Sequence, residues 1–281
     1  GSPAEAAATV KRVATLFGAD LVGICAHDQR WVYTQRYARH AGEGRPVGLP
    51  DGLTSVVVVG QAMDHDLVDT VPSALSSAAV GLGYSKDALV LLATAQWLRN
   101  LGYQAVPSLN DTALAIPLAI QAGLGEYGRH GLVITPEFGP RVRFGKIFTD
   151  APLDHDAPVE FGVSAFCEVC RRCTDACPPK AIPDGEPSPV KLNRSAIGGV
   201  RKWSVDGEKC FSYWTQIVTD CMICMRVCPY NKDFSRWRHR VGRRLAATGL
   251  RRLMLRLNDR LGYGERLRPR EWWAGATRRR T

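Results

Sequence analysis

No apolar run in the 281 residues approaches the roughly 20 that a membrane-spanning helix needs. The first residues carry neither a basic start nor a long hydrophobic stretch, so nothing at the beginning reads as an export signal. Gly1 and Ser2 look like residues left by cloning, and a signal removed upstream of them would leave the same start, so the compartment stays open. Cysteine is scarce outside one window: eight of nine fall between Cys167 and Cys228, and only Cys25 lies elsewhere. That distribution argues against the disulfide framework of a short secreted domain. Acidic residues are nearly missing from the end of the chain, where fifteen arginines from Phe234 to Thr281 meet only Asp259, Glu265 and Glu271. With a whole-chain charge of +10, a near-neutral body carries a cationic tail. Internal repeats are absent apart from two cysteine motifs.

What is present suffices for a packed core: 45% of the residues are hydrophobic. The first 150 residues alternate helical and strand-like patterns. Pro3–Phe17 reads as an amphipathic helix, Leu21–Ala26 as a strand, and Ser55–Ala62 as a buried strand through its β-branched run Val56–Val59. Ser73–Leu101 gives one or two helices interrupted near Gly81 and Gly83, followed by a strand at Tyr103–Val106 and a helix at Thr112–Ala122. Leu132–Thr135 and Arg141–Phe148 read as paired strands around the turn from Pro136 to Pro140. The mixture implies an α+β or α/β core over 1–150. From Ala151 the pattern is cysteine-rich, punctuated by proline and weakly periodic, as expected where metal organises a second unit, taken as 151–233. In the remaining 234–281, Leu250, Leu253, Met254 and Leu257 recur at helical spacing within Arg243–Leu257, a stripe expected to pack on the body.

Cys167, Cys170, Cys173 and Cys177 form CxxCxxCxxxC followed by Pro178, the ferredoxin spacing for a [4Fe-4S] cluster. Three thiolates two residues apart wrap one corner of a cube, and the fourth, carried past a proline-terminated turn, projects toward a neighbouring cluster. Cys210, Cys221, Cys224 and Cys228 before Pro229 repeat the ending with a stretched first interval. Two-cluster ferredoxin logic then pairs Cys167, Cys170, Cys173 and Cys228 on one cluster, and Cys177, Cys210, Cys221 and Cys224 on the other. Structural zinc also uses four thiolates, but zinc ribbons pair two separated knuckles and have no reason for Cys-Pro at both ends. Cys25 reads as a small buried apolar residue.

The segments FCEVCRRCTDACPPKAI (166–182) and CMICMRVCPYNK (221–232) resemble the cluster motifs of corrinoid-dependent reductive dehalogenases. GLGYSKDA around Tyr84, SLNDTALAIPLAIQAGLGEYGRHGLVITPEFG from Ser108, RVRFGKIFTD from Arg141 and the Trp272-Trp273 ending extend the resemblance over nearly the whole chain. It implies a nitroreductase-like α+β core beside a ferredoxin-like domain, with a base-off cobamide (cobalamin or a relative) held between them. Tyr84, Asn110 and Arg143 match that family's catalytic positions, and Lys146 matches a lysine that phenol-type members place near the substrate oxygen. No DxHxxG lower-ligand motif occurs, and His65 sits in an unrelated DHD context. The implied partners are a small organohalide, with aryl halides slightly preferred through Lys146, and an external low-potential electron donor that reduces the cobalt through the clusters.

A phenol is protonated at pH 7 and can protonate a developing carbanion, while a neighbouring cation holds the phenolate and an amide donates to the same oxygen or to halide. Each assignment has a structural alternative. Tyr84 can be a core residue, Asn110 or Asp111 a helix cap, and Lys146 a solvated side chain; whether Arg141 or Arg143 faces the site depends on strand register. The glycines of GLGEYGRHG suit close approach to a ligand or a turn. Two rival functions stand beside the dehalogenase. Epoxyqueuosine reductases, which act on tRNA, share the double-cluster module and an Asp-Thr like Asp111-Thr112, with the aspartate as proton donor. They typically show a WIGKN-like stretch where this chain has EYGRHG, which puts nucleic acid second. A ferredoxin-like carrier would hold iron without cobalt. The cationic tail reads as solvated surface, as a docking face for a membrane anchor or redox partner, or as a phosphate-binding surface.

Overall fold

Helix α1, Pro3–Leu16, begins where Ser2 and Glu5 close a capping box: the Glu5 N–H donates to Ser2 Oγ at 3.3 Å and the Ser2 N–H donates to the Glu5 carboxylate at 2.7 Å. Its Ala7, Val10 and Ala14 turn inward. The structure, a computed structural model, describes residues 1–36, 44–193 and 195–275. Arg278, Arg279 and Arg280 of the cationic tail therefore lie outside the described residues.

Four antiparallel strands make the main sheet: β1 (Leu21–Ala26), β2 (Ser55–Ala62), β3 (Ala105–Ser108) and β4 (Val142–Thr149), in the order β1-β2-β4-β3. The inner strands β2 and β4 are buried almost throughout, as the β-branched run of β2 leads one to expect. Their register pairs Val58 with Lys146 and Gln61 with Arg143, and β3 pairs Ser108 with the same Lys146. Helix α2 (Ala74–Asn100) contributes Val90, Leu91, Ala95 and Leu98 to a core that also takes Ile24, Val57, Val59 and Ile147 from the sheet. Helix α3 (Ala115–Gln121) adds buried Leu118 and Ala119.

Several expectations are corrected. Helix α2 runs unbroken through Gly81 and Gly83; each glycine costs about 1 kcal/mol of helix propensity, and core packing outweighs it. This helix is also long and apolar enough by length and composition to cross a membrane, contrary to the sequence reading; Val90, Leu91, Ala95, Leu98 and Asp87 lie in the protein core, whereas Leu82, Leu89 and Leu92 are exposed. Strand β3 starts two residues later than expected because the chain is still closing α2: Gly102 has φ +92°, and the Tyr103 N–H donates to the Leu98 carbonyl. Helix α3 starts at Ala115 because the stretch before it is held extended, the Leu114 N–H donating to Trp31 O and Thr112 O accepting from Tyr33. The expected pairing of 132–135 with 141–148 does not form. Val133–Ile134 pairs instead with Glu126–Tyr127, only Thr135 and Gly139 bridge across the turn, and β4 spends its ladder on β2 and β3.

Two compact units result, and neither is contiguous in sequence. The first comprises 1–62, 83–125 and 142–159; the second comprises 63–82, 126–141 and 160–281. Within the second lie α4 (Val163–Val169), α5 (Arg172–Ala176), α6 (Gly207–Ile217), α7 (Ile223–Arg226), α8 (Trp237–Ala246) and α9 (Arg251–Arg260). The expected helix over Arg243–Leu257 is thus two helices, separated near Thr248 and Gly249. Met254 packs against the core of this unit, whereas Leu250, Leu253 and Leu257 stay exposed, so the stripe packs only in part. Several tail arginines are committed to the unit's own backbone: Arg243 donates to Pro136 O, Arg251 to Ala165 O and Arg266 to Thr70 O.

Gly23 is where α3 meets β1, since a methyl there would lie 2.2 Å from the Ala122 carbonyl oxygen. Backbone cannot yield as a side-chain tip can. Gly23→Ala is expected to lower stability by about 1–3 kcal/mol in a denaturant titration.

Candidate functional site

Tyr84 stands on α2 and Arg143 on β4. Alternation along β4 puts Arg143 and Gly145 on the face toward α2, where a side chain on Gly145 would meet Asp87 and Leu91, and puts Lys146 on the opposite face. Asn110 follows the end of β3. Its Nδ2 donates to the Tyr84 hydroxyl oxygen at 2.8 Å, and Arg143 Nη1 donates to the same oxygen at 3.2 Å. The Arg143 guanidinium also lies 4.7 Å from the Tyr84 ring centroid. Its Nε is buried and has no protein partner. The structure thus brings Tyr84, Asn110 and Arg143 together, and Arg141 is engaged elsewhere, donating to Met63 O at 3.0 Å and Lys232 O at 3.2 Å. Neither Asn110 nor Asp111 caps α3; Leu114 holds the cap position, and Asp111 accepts from Ser108 Oγ at 3.1 Å.

Lys146 departs most from its sequence reading. It is 0% exposed, and its ammonium donates to the carbonyls of Leu109 and Ala113, the latter at 3.2 Å. It therefore grips both ends of the segment that carries Asn110. Burial pulls its pKa down to about 8, against the opposing charges of Asp87 and Asp111. Asp87, one turn beyond Tyr84 on α2, is 1% exposed with Oδ1 unpartnered. Burial pushes its carboxyl up to about 7, although the Lys146 and Arg143 cations pull the other way.

In the second unit, Cys167, Cys170, Cys173 and Cys228 line one cavity together with His130 and Tyr230. Burial, and then the neighbouring Cys167, raises the Cys228 thiol far above the ordinary range; burial lifts Cys167 and Cys173 to about 12. Around Cys224, burial acts with Cys173, Cys221, Cys210 and Cys177, and Cys210 has Cys221 and Cys177 as charged neighbours. Cys173, Cys177, Cys210 and Cys224 pack together with Ala181 and Ile182, so thiols of both motifs meet there as they do in the cavity of Cys167, Cys170, Cys173 and Cys228. Protonated thiols crowded around a cavity fit an iron–sulfur cluster, because bound iron replaces the protons and removes the repulsion. Cys25 is buried in β1.

Residues 166–231 match the 4Fe-4S double cluster binding domain, and residues 44–153 match the reductive dehalogenase subunit family. The tetrachloroethene reductive dehalogenase of Desulfitobacterium hafniense is 38% identical over 86% of this chain and 51% of its own length. The catabolic reductive dehalogenase NpRdhA, solved in complex with 3-bromo-4-hydroxybenzoic acid, superimposes with a TM-score of 0.84 at 26% identity, over 95% of this chain and 38% of that one. A reductive dehalogenase structure described as suggesting a mechanism for B12-dependent dehalogenation gives 0.85 at 26% identity, over 95% and 37%. The chain belongs to the reductive dehalogenase family. It spans about half the length of the curated relative it matches. The nitroreductase-like α+β core and the ferredoxin-like double-cluster domain expected of a reductive dehalogenase are both present.

Sequence reasoning missed three residues of this reductive dehalogenase fold. Asp87 is one. The other two lie in EYGRHG, whose glycines serve turns and packing: a side chain on Gly128 would strike the His130 ring, and Gly131 takes φ +79°. Arg129 is buried, donates from Nε to Cys167 O at 3.1 Å and from Nη1 to the carbonyls of Pro183, Asp184 and Gly185, and lies 4.7 Å from the Trp203 ring centroid. His130 is 5% exposed, and burial depresses its ring to about 4, so it is neutral at pH 7. The bulk of EYGRHG is thus an internal brace, with Glu126 Oε2 also accepting from the Phe161 and Val163 N–H groups.

Because the folded state holds the Asp87 proton more tightly than an unfolded carboxyl does, its contribution is full at low pH and is lost between about pH 4 and 7. Wild type should lose on the order of 2 kcal/mol through Asp87 between pH 5 and 7. Asp87→Asn should lack that part of the loss, as denaturant midpoints at the two pH values would register; Lys146 stays largely protonated across this window.

Proposed function

We propose that this chain carries the catalytic core of a corrinoid-dependent reductive dehalogenase, which replaces halogen by hydrogen on an organohalide with Tyr84 as the proton donor. The observation that carries this reading is the convergence of Asn110 Nδ2 and Arg143 Nη1 on the Tyr84 oxygen. The overall reaction takes the organohalide, two electrons and one proton to the hydrocarbon and halide. A bound corrinoid would supply reducing power at cobalt, replenished by an external low-potential donor through the two [4Fe-4S] clusters. The chain's residues fit that cofactor in two ways. The Tyr84 cluster presents donors and no competing metal ligand. His65, the histidine weighed as a lower ligand, is already engaged: Nδ1 lies 3.5 Å from Asp66 and 3.8 Å from Asp69, and Nε2 is 3.3 Å from Asn231 O.

Two donors occupy the lone pairs of the Tyr84 oxygen, leaving its own hydrogen to point away toward substrate carbon. As that proton departs, the charge left on oxygen already has an amide and a guanidinium in place, with no reorganisation required. The unpartnered Arg143 Nε gives a further donor for the departing halide. Lys146 acts as a positioning residue, holding the segment 109–113 so that the Asn110 amide reaches Tyr84. The aryl preference rested on Lys146 alone, and with its ammonium committed to two carbonyls that preference has no residue behind it. The substrate is therefore assigned as an organohalide without narrowing to aryl compounds; the D. hafniense relative is named for tetrachloroethene.

Anaerobic purification with corrinoid supplied should yield cobalt as well as iron and sulfide, and halide release from a bromophenol or a chloroethene. Tyr84→Phe should lower halide release by about 10²-fold or more with cobalt, iron and spectra unchanged; full activity in that variant rejects the role. Iron without cobalt would favour an electron carrier. Lys146→Met should slow both substrates by the same factor and speed amide exchange at 109–113, whereas a loss confined to the bromophenol would return Lys146 to the substrate.

A further inference from the structure

We propose that His130 donates its Nε2–H to a sulfur of the cluster held by Cys167, Cys170, Cys173 and Cys228, and so raises that cluster's reduction potential. The assignment rests on the reading of those four thiols as cluster ligands.

The ring's tautomer follows from its neighbours. The Leu132 N–H donates to His130 Nδ1 at 3.2 Å, so Nδ1 is the acceptor and, in a neutral ring, Nε2 carries the hydrogen. That Nε2 is buried and has no protein partner. A buried N–H without an acceptor costs about 1–3 kcal/mol, so such groups in native proteins meet a partner. The cavity that His130 lines is walled by the four thiols, Tyr230 and apolar groups. A cluster placed there brings sulfur, an acceptor that the protein itself does not provide at that point.

The local sequence is arranged to hold the ring there. Gly128 leaves the space the ring occupies: a methyl on it would lie 2.7 Å from His130 Cε1. Gly131, at φ +79°, turns the chain so that the Leu132 N–H comes back onto Nδ1. Arg129, the preceding residue, anchors the segment on the Cys167 carbonyl at 3.1 Å.

Reduction adds negative charge to a cluster and spreads it onto the sulfurs. An N–H dipole aimed at a sulfur stabilises the reduced form more than the oxidised form, which moves the potential upward. The other thiol group, Cys177, Cys210, Cys221 and Cys224, has no such donor from His130, so the two clusters should be separated in potential in part by this one residue.

The experiment is an anaerobic redox titration of the iron-loaded full chain, followed by electron paramagnetic resonance of the reduced clusters. In His130→Leu the potential of one cluster should shift to more negative values, the other staying fixed, with iron and sulfide unchanged. His130→Gln, whose amide can place an N–H at the same reach, should recover most of the shift. Because Leu also removes the acceptor for Leu132, a measurement on the unaltered protein stands beside it: electron–nuclear double resonance in H2O and D2O should resolve, beyond the exchangeable backbone protons that Arg129, Arg172, Thr174 and Tyr230 direct at the ligand sulfurs, one further coupling to the reduced cluster that is absent in His130→Leu. Equal potentials in wild type and His130→Leu, or identical exchangeable-proton couplings in the two, would overturn the proposal alone. Failure to bind iron and sulfide at all would overturn the cluster reading and the proposal with it.

Discussion

An oxygen that accepts from a neutral amide and a guanidinium at once is built to carry negative charge, and the first unit is organised around that one atom. Helix α2 supplies the phenol, β4 supplies the guanidinium, and the segment leaving β3 supplies the amide. None of the three is adjusted alone. Tyr84 is held by a helix packed through Val90, Leu91, Ala95 and Leu98, and Arg143 by a register shared with Gln61 on β2. Asn110 sits on a segment gripped at both ends by a lysine on the far face of β4. A buried ammonium is costly unless hydrogen-bonded and balanced by charge. The two carbonyls supply the hydrogen bonds, and Asp111 with the ionised fraction of Asp87 supplies the opposing charge, which explains why an exposed-looking sequence context produces a fully buried Lys146.

The second unit solves a different problem, since thiols that will bind iron must be desolvated and crowded. Burial and mutual repulsion both favour the protonated thiol, and both are relieved when iron takes the place of the protons. Around one thiol group, the EYGRHG segment contributes Arg129 to the backbone carbonyls and His130 to the cavity wall. The cationic tail takes part as well, because Arg243, Arg251 and Arg266 spend donors on carbonyls of the same unit rather than only on solvent.

Much of this was legible in the sequence. The cluster cysteines are visible because ligand spacing is a local geometric demand, and β2 because its β-branched run states its burial directly. Tyr84, Asn110 and Arg143 came from resemblance, and the fold then places all three within hydrogen-bonding distance of one oxygen. What stayed hidden was whatever depends on register or on long-range burial. Lys146 looks like any lysine until strand pairing sets its face. Asp87, flanked by Lys86 on a helix, carries no local mark of being buried. His130 lies in a glycine-rich stretch whose turn and ligand readings cannot be separated without knowing what a side chain at Gly128 would hit. The pairing of 132–135 with 141–148 was misread because adjacency in sequence suggested a hairpin, while the longer ladder with β2 and β3 was available to β4.

The most direct test of the central claim places a series of fluorinated tyrosines at position 84 and follows the pH profile of halide release. If the Tyr84 hydroxyl is the acid, the alkaline limb of the profile should move to lower pH in step with the rising acidity of the substituted phenol. An alkaline limb that stays fixed across the series would contradict the account.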